Sequence, residues 1–194
     1  MTYQPDSRVR WIVQHYSATP IEIDLTADDI DEMHRKRGFR EIGYHYFIRK
    51  NGMVETGRDL SQPGRFETGA HSKGENSASI GICLEGGVTL DARNVGVDNR
   101  TQAQIKAQIK LIRELLLRFP NARVEGHRDM PGAATQCPGY NAAAWWAGVA
   151  PTARPAPTGG HGSPSTNPAS VKVHWFIRLL RYMSNKRGFK WPKN

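Results

Sequence analysis

Cysteine is scarce in this chain: two residues, Cys83 and Cys137, in 194. That excludes a disulfide scaffold, and a chain of this length can bury a working core without one. Nowhere does it approach the roughly 18 consecutive apolar residues of a membrane span. The opening residues, MTYQPDSRVRWIVQHYS, lack a basic stretch followed by an apolar one, so no secretory signal peptide is expected. Acidic residues are missing altogether from 151–194, which holds eight Lys and Arg. Of the formal charge of +9, +8 therefore sits in that segment and residues 1–150 carry +1. A near-neutral main domain disfavours nucleic acid as its partner.

What is present is ordinary for a globular protein: 38% hydrophobic and 23% charged residues, which excludes wholesale disorder. Composition changes sharply near residue 150. Residues 151–170, PTARPAPTGGHGSPSTNPAS, cannot bury enough apolar surface to order themselves and read as a linker. Residues 171–194 are again apolar and aromatic, interleaved with basic residues. On a helical wheel Val171, Trp175, Phe176, Leu179, Leu180, Tyr182 and Met183 share one side, with His174, Arg178, Arg181 and Asn185 opposite. A basic amphipathic helix of this kind reads as a binder of an anionic outer- or inner-membrane surface; the alternative is that it docks on the main domain.

Within 1–150 the elements alternate. Val9–Tyr16 reads as a buried strand. Thr26 and Asp29 form a capping-box pattern for a helix ending near Arg37 and Gly38. Tyr44–Arg49 and Val54–Gly57 flank Asn51-Gly52, a hairpin turn signal. Ser79–Glu85 is a short apolar strand. Thr101 and Gln104 make a second capping box, opening a helix with Ile105, Ile109, Ile112, Leu116 and Phe119 at helical spacing and Pro120 at its end. Val124–Gly126 reads as a last strand and Asn141–Trp146 as a last helix. The expected fold is α/β: a single domain whose central mixed β-sheet is flanked by helices, mixed because the hairpin adds antiparallel pairing.

Three residues have metal-ligand chemistry. His15 lies at the end of the first predicted strand, His127 follows a short strand in GHRDMPG, and Cys137 lies in the loop TQCPGY. Two imidazoles and a thiolate suit Zn2+ and leave a fourth position open, the catalytic rather than the structural arrangement. By spacing alone the set reads rather as two satisfied polar histidines and a small buried thiol.

Four segments together change the weighting: VQHYSATP, GYHYFIRKNGMVETGRD, GAHSKGENSASIGICLEGG and GHRDMPGAATQCPGY, in that order across about residues 9–146. They resemble the zinc amidase family that includes phage lysozyme-type amidases and peptidoglycan recognition proteins. The resemblance implies a peptidoglycan-recognition-protein-like fold for 1–150. It also implies hydrolysis of the amide between N-acetylmuramic acid and the first L-alanine of the stem peptide. By position it makes His15, His127 and Cys137 the Zn2+ ligands and Tyr44 the catalytic tyrosine. It places Thr135 where some phage relatives carry Lys, as a catalytic hydroxyl without positive charge, and His71 at a cleft-lining position, as a substrate contact or as scaffolding. His45, one residue from Tyr44, then faces away in a structural role, and His34 packs or lies at the surface. Cys83 reads as a buried structural thiol. The leading expectation is a phage or prophage endolysin, made in the host cytoplasm and acting as a monomer on the periplasmic cell wall. The alternatives are a non-catalytic peptidoglycan-binding module, which usually lacks the cysteine ligand, and a cytoplasmic muropeptide-recycling amidase. The latter carry Glu where Cys83 stands and Asp where Cys137 stands.

Overall fold

The computed structural model describes residues 1–149. The linker expected over 151–170 and the helix expected over 171–194 lie outside the described residues. The chain enters through a short strand, β1 (Tyr3–Pro5), and then the long strand β2 (Trp11–Tyr16), followed by β3 (Thr19–Pro20). Helix α1 spans Ala27–Lys36, and the strands β4 (Tyr46–Ile48) and β5 (Val54–Thr56) form the hairpin around Asn51-Gly52. After β6 (Arg65–Glu67), β7 (Ser79–Leu84) and β8 (Gly87–Val88) come helix α2 (Gln102–Arg118), β9 (Arg123–Gly126) and α3 (Ala142–Val149).

Five strands make the central sheet in the order β5-β4-β7-β2-β9. Its last four run parallel, and β5 pairs antiparallel with β4 at the edge, giving the mixed sheet. Parallel neighbours need long crossovers, and the helices supply the cover for both faces. On one face α2 packs Leu111, Ile112, Leu115 and Phe119 against Ile12, Ile48, Ile80, Ile82 and Val124. On the other, α1 packs Ala27 and Ile30, with Ile42, against Phe47 and Cys83. Truncating a fully buried residue such as Ile112 to Ala would cost about 2–5 kcal/mol.

Both capping boxes form as expected. Thr26 Oγ1 accepts from Asp29 N–H while the Asp29 carboxylate accepts from Thr26 N–H, and Thr101 and Gln104 do the same for α2. The inward face of α2 differs from the isoleucine stripe. It buries Gln104 and Gln108 beside Leu111, Ile112 and Leu115, while Ile105, Ile109 and Leu116 are only half-buried. The glutamines go inside because the sheet gives them partners. Gln104 Nε2 donates to the Ile48 and Glu85 carbonyls at 3.2 and 2.8 Å, and Gln108 Nε2 to Gln14 Oε1 and Tyr140 Oη, both at 2.7 Å. Among the described residues no helix is long and apolar enough to cross a membrane.

Candidate active site

Strand register brings the first two metal-ligand candidates together. In the β2–β9 ladder Gln14 pairs with Gly126, so the next residues, His15 and His127, stand side by side at the carboxyl ends of the two strands. Side chains alternate along a strand, so both rings leave the sheet on the face opposite Gln14 and α2. Their centroids are 4.6 Å apart. The loop after β9 returns Cys137 to this point. Arg128 N–H donates to the Cys137 carbonyl at 2.7 Å, Tyr16 N–H donates to its Sγ at 3.3 Å, and Cys137 N–H donates to Thr135 Oγ1 at 3.1 Å. One ligand atom from each of His15, His127 and Cys137 lies within 4.8 Å of the others. This trio could hold a metal ion, with a fourth position left for solvent or substrate.

Burial tunes the trio. It pushes the His15 pKa well below the ordinary histidine range, helped by the neighbouring His71 and His127, and it lowers that of His127. Both imidazoles are therefore neutral near pH 7, with a lone pair available to a metal. Burial pushes the Cys137 thiol up to about 12, against the opposing hydrogen bond from Tyr16 N–H. His15 and Cys137 are buried and His127 is half-buried, so the cluster opens on the His127 side.

Tyr44 lies two residues before β4 rather than inside the strand. Its ring lies tilted between His15, at 5.0 Å between centroids, and His34 of α1, at 5.3 Å. His34 also accepts the Gly43 N–H on Nδ1 at 2.9 Å, so α1 fixes the segment that presents Tyr44. His34 is thus a packing residue. Tyr44 packs against the cluster that contains Cys83, a contact the sequence reading missed, and burial raises its pKa well above the ordinary phenol range. His45 points elsewhere. Gly81 N–H donates to its Nδ1 at 3.0 Å, so its Nε2 carries the proton and donates to the Glu67 carbonyl at 2.8 Å.

Thr135 is exposed in the wall of an open groove of about 580 Å³, together with Tyr16, Arg93, Asn94, Ala134 and Gln136. Gln136 ties the two sides of that groove, accepting from Gly96 N–H at 3.0 Å and donating to the Asn94 carbonyl at 3.3 Å. No motif covers Arg93 or Asn94, and Tyr16, inside the block VQHYSATP, has no role assigned by the sequence. The available signal was position alone, one residue beyond His15 for Tyr16. His71, for which the sequence leaves substrate contact and scaffolding both open, is buried behind His15, with its Nδ1 3.1 Å from His15 Nε2, which favours scaffolding.

Comparison with known proteins agrees with this geometry. Residues 5–140 match the family model described as N-acetylmuramoyl-L-alanine amidase. The endolysin of Klebsiella phage KP32 is 37% identical over 135 residues, covering 70% of this chain and 83% of that protein. Among solved structures, the endolysin N-acetylmuramoyl-L-alanine amidase LysCS from Clostridium intestinale aligns at 30% identity with a TM-score of 0.57, covering 73% of this chain and 82% of that one. Bumblebee PGRP-SA, at 22% identity and a TM-score of 0.61 over 77% and 86% of the two chains, shares the fold. The matched residues 5–140 enclose the His-His-Cys cluster, Tyr44 and the groove, and the chain belongs to the N-acetylmuramoyl-L-alanine amidase family.

Proposed function

We propose that the chain is a phage-type endolysin that uses Zn2+, held by His15, His127 and Cys137, to hydrolyse the amide between N-acetylmuramic acid and L-alanine in peptidoglycan. The observation that carries this reading is the convergence of the two imidazoles and the thiol beside Tyr44. The donor set fits the metal. Tetrahedral bonds of about 2.3 Å to sulfur and about 2.05 Å to nitrogen hold those atoms about 3.6 Å apart. His15 Nδ1 and Cys137 Sγ stand 3.7 Å apart. Bound there, Zn2+ supplies Lewis acidity toward water and the scissile carbonyl.

The chain's own groups do the rest. Tyr44, kept neutral by burial, presents an O–H that donates to the oxygen where negative charge develops. Thr135 Oγ1 already accepts the Cys137 N–H, which leaves its O–H to donate into the groove. The groove offers the phenol ring of Tyr16 and the guanidinium of Arg93 to the glycan and peptide on either side of the amide. A recycling enzyme is a poorer fit, since Cys83 is buried under Tyr44 where a carboxylate would stand. By this reading the protein acts on the host cell wall as a monomer, and residues 171–194 hold it to an anionic envelope surface.

The test is hydrolysis of purified peptidoglycan by the parent, by chelator-treated protein and by Cys137→Ser. Activity is expected to vanish on chelation, return with Zn2+ and be absent in Cys137→Ser. Full activity in the chelated protein, or in Cys137→Ser, would refute the metal-dependent reading.

A further inference from the structure

Behind the metal-ligand cluster the His71 ring is held at both nitrogens. Its Nδ1 is 3.1 Å from His15 Nε2, and its Nε2 is 3.4 Å from Ser79 Oγ. Ser79 Oγ in turn donates to the Glu75 carbonyl at 2.8 Å. The backbone is pinned as well, because the N–H groups of His71 and Ser72 both donate to Asn76 Oδ1 at 2.8 Å. Two glycines make room for the ring. A Cβ on Gly69 would lie 2.5 Å from His71 Cδ2, and one on Gly81 would lie 2.7 Å from the same ring. A glycine inside a strand marks such a close approach, and Gly81 is in the middle of β7.

The direction of every proton in this chain is fixed from its far end. The Glu75 carbonyl can only accept, so the Ser79 hydroxyl proton is engaged there and its oxygen accepts from His71. His71 therefore carries its proton on Nε2 and turns the Nδ1 lone pair toward His15. His15 must then donate from Nε2, which leaves its own lone pair on Nδ1. That is the nitrogen 3.7 Å from Cys137 Sγ. The hydrogen bonds of the protein thus select the tautomer that the metal reading needs.

We infer that His71 is a positioning residue: with Ser79 it locks His15 in the tautomer and ring orientation that present Nδ1 to the metal, and it does not contact substrate. This inference rests on the metal-dependent reading above. Such outer partners of metal-ligating histidines typically account for 10–100-fold in metal affinity.

The experiment measures Zn2+ dissociation constants of the full-length protein by competition with a chromogenic chelator, together with the visible spectrum of the Co2+-loaded form. The variants are His71→Leu, His71→Asn and Ser79→Ala; Asn carries an acceptor oxygen where the His71 Nδ1 stands. His71→Leu is expected to bind Zn2+ about 10–100-fold more weakly with altered Co2+ bands. His71→Asn is expected to recover most of the loss, and Ser79→Ala to lose less than His71→Leu. Parental affinity and spectrum in His71→Leu would overturn the inference. So would unchanged affinity with a raised KM on soluble muropeptides, which would make His71 a substrate contact. Should His71→Leu fail to fold, Ser79→Ala decides, and parental affinity and spectrum in that variant would overturn the inference. A parent protein that takes up no Zn2+ would overturn the metal reading itself, and the inference with it.

Discussion

Metal uptake by this site should release between about one and about 1.75 protons at pH 6, and that range follows from burial. A histidine with an ordinary pKa near 6.5 is about three-quarters protonated at pH 6. Two such ligands would together give up about 1.5 protons on binding a metal, and a cysteine one more, for a total of about 2.5. Here burial lowers both histidines: His15, far below the ordinary range, is already neutral, and His127 carries less than the roughly three-quarters of a proton of an ordinary histidine. Burial raises the Cys137 thiol to about 12, so it is fully protonated and must lose its proton to become a ligand. The inventory falls to between about one and about 1.75. Working at pH 6 keeps ionisation of water at the metal, near 7, out of the count. Isothermal titration calorimetry of Zn2+ binding in buffers of different ionisation enthalpy gives the number directly. The same reasoning predicts an apparent affinity that rises at least about tenfold per pH unit, about 1.4 kcal/mol, between pH 5.5 and 6.5, but less than the roughly 300-fold of 2.5 protons. A release near 2.5 protons would refute the claim that the cluster is built from buried, neutral imidazoles.

Three further outcomes test other parts of the account. Tyr44→Phe should keep its metal but lose about 10²–10³ in kcat, the usual loss for one oxyanion donor, and parental kcat would remove Tyr44 from catalysis. Gln108→Leu strands Gln14 Oε1 and the Tyr140 hydroxyl in the core and should cost about 2–4 kcal/mol in urea unfolding; a loss below about 0.5 kcal/mol would show that this network is not stabilising. Deleting residues 151–194, with their charge of +8, should leave hydrolysis of soluble muropeptides intact and weaken binding to anionic vesicles. Loss of activity on the soluble substrate would make that segment part of the catalytic domain.

Much of the architecture was legible wherever a local rule acts alone. The capping residues Thr26, Asp29, Thr101 and Gln104 marked two helix starts to the residue, and Asn51-Gly52 marked the hairpin that makes the sheet mixed. The alternation that sends Tyr44 and His45 to different surroundings also held, although the strand begins only at Tyr46. What stayed hidden depends on partners distant in sequence. The stripe of Ile105, Ile109 and Leu116 suggested an apolar inner face for α2. The helix turns Gln104 and Gln108 inward instead, because Gln14, Tyr140 and two strand carbonyls await them. The small pairings of β1 with β6 and β3 with β8 left no periodic signal, being three and two residues long. For His71 the motif block suggested a position lining the cleft, as a substrate contact or as scaffolding. Its place beneath His15 is written in Gly69 and Gly81, whose missing side chains only the folded chain explains.

The central claim is that the bond broken is the one between N-acetylmuramic acid and L-alanine. Mass spectrometry of purified Gram-negative sacculi digested with the Zn2+-loaded full-length protein tests it most directly. Free stem peptides beginning with an unblocked L-alanine are expected, with no new reducing ends on the glycan strands and no free peptides after chelation. New reducing sugar ends without free stem peptides would contradict it.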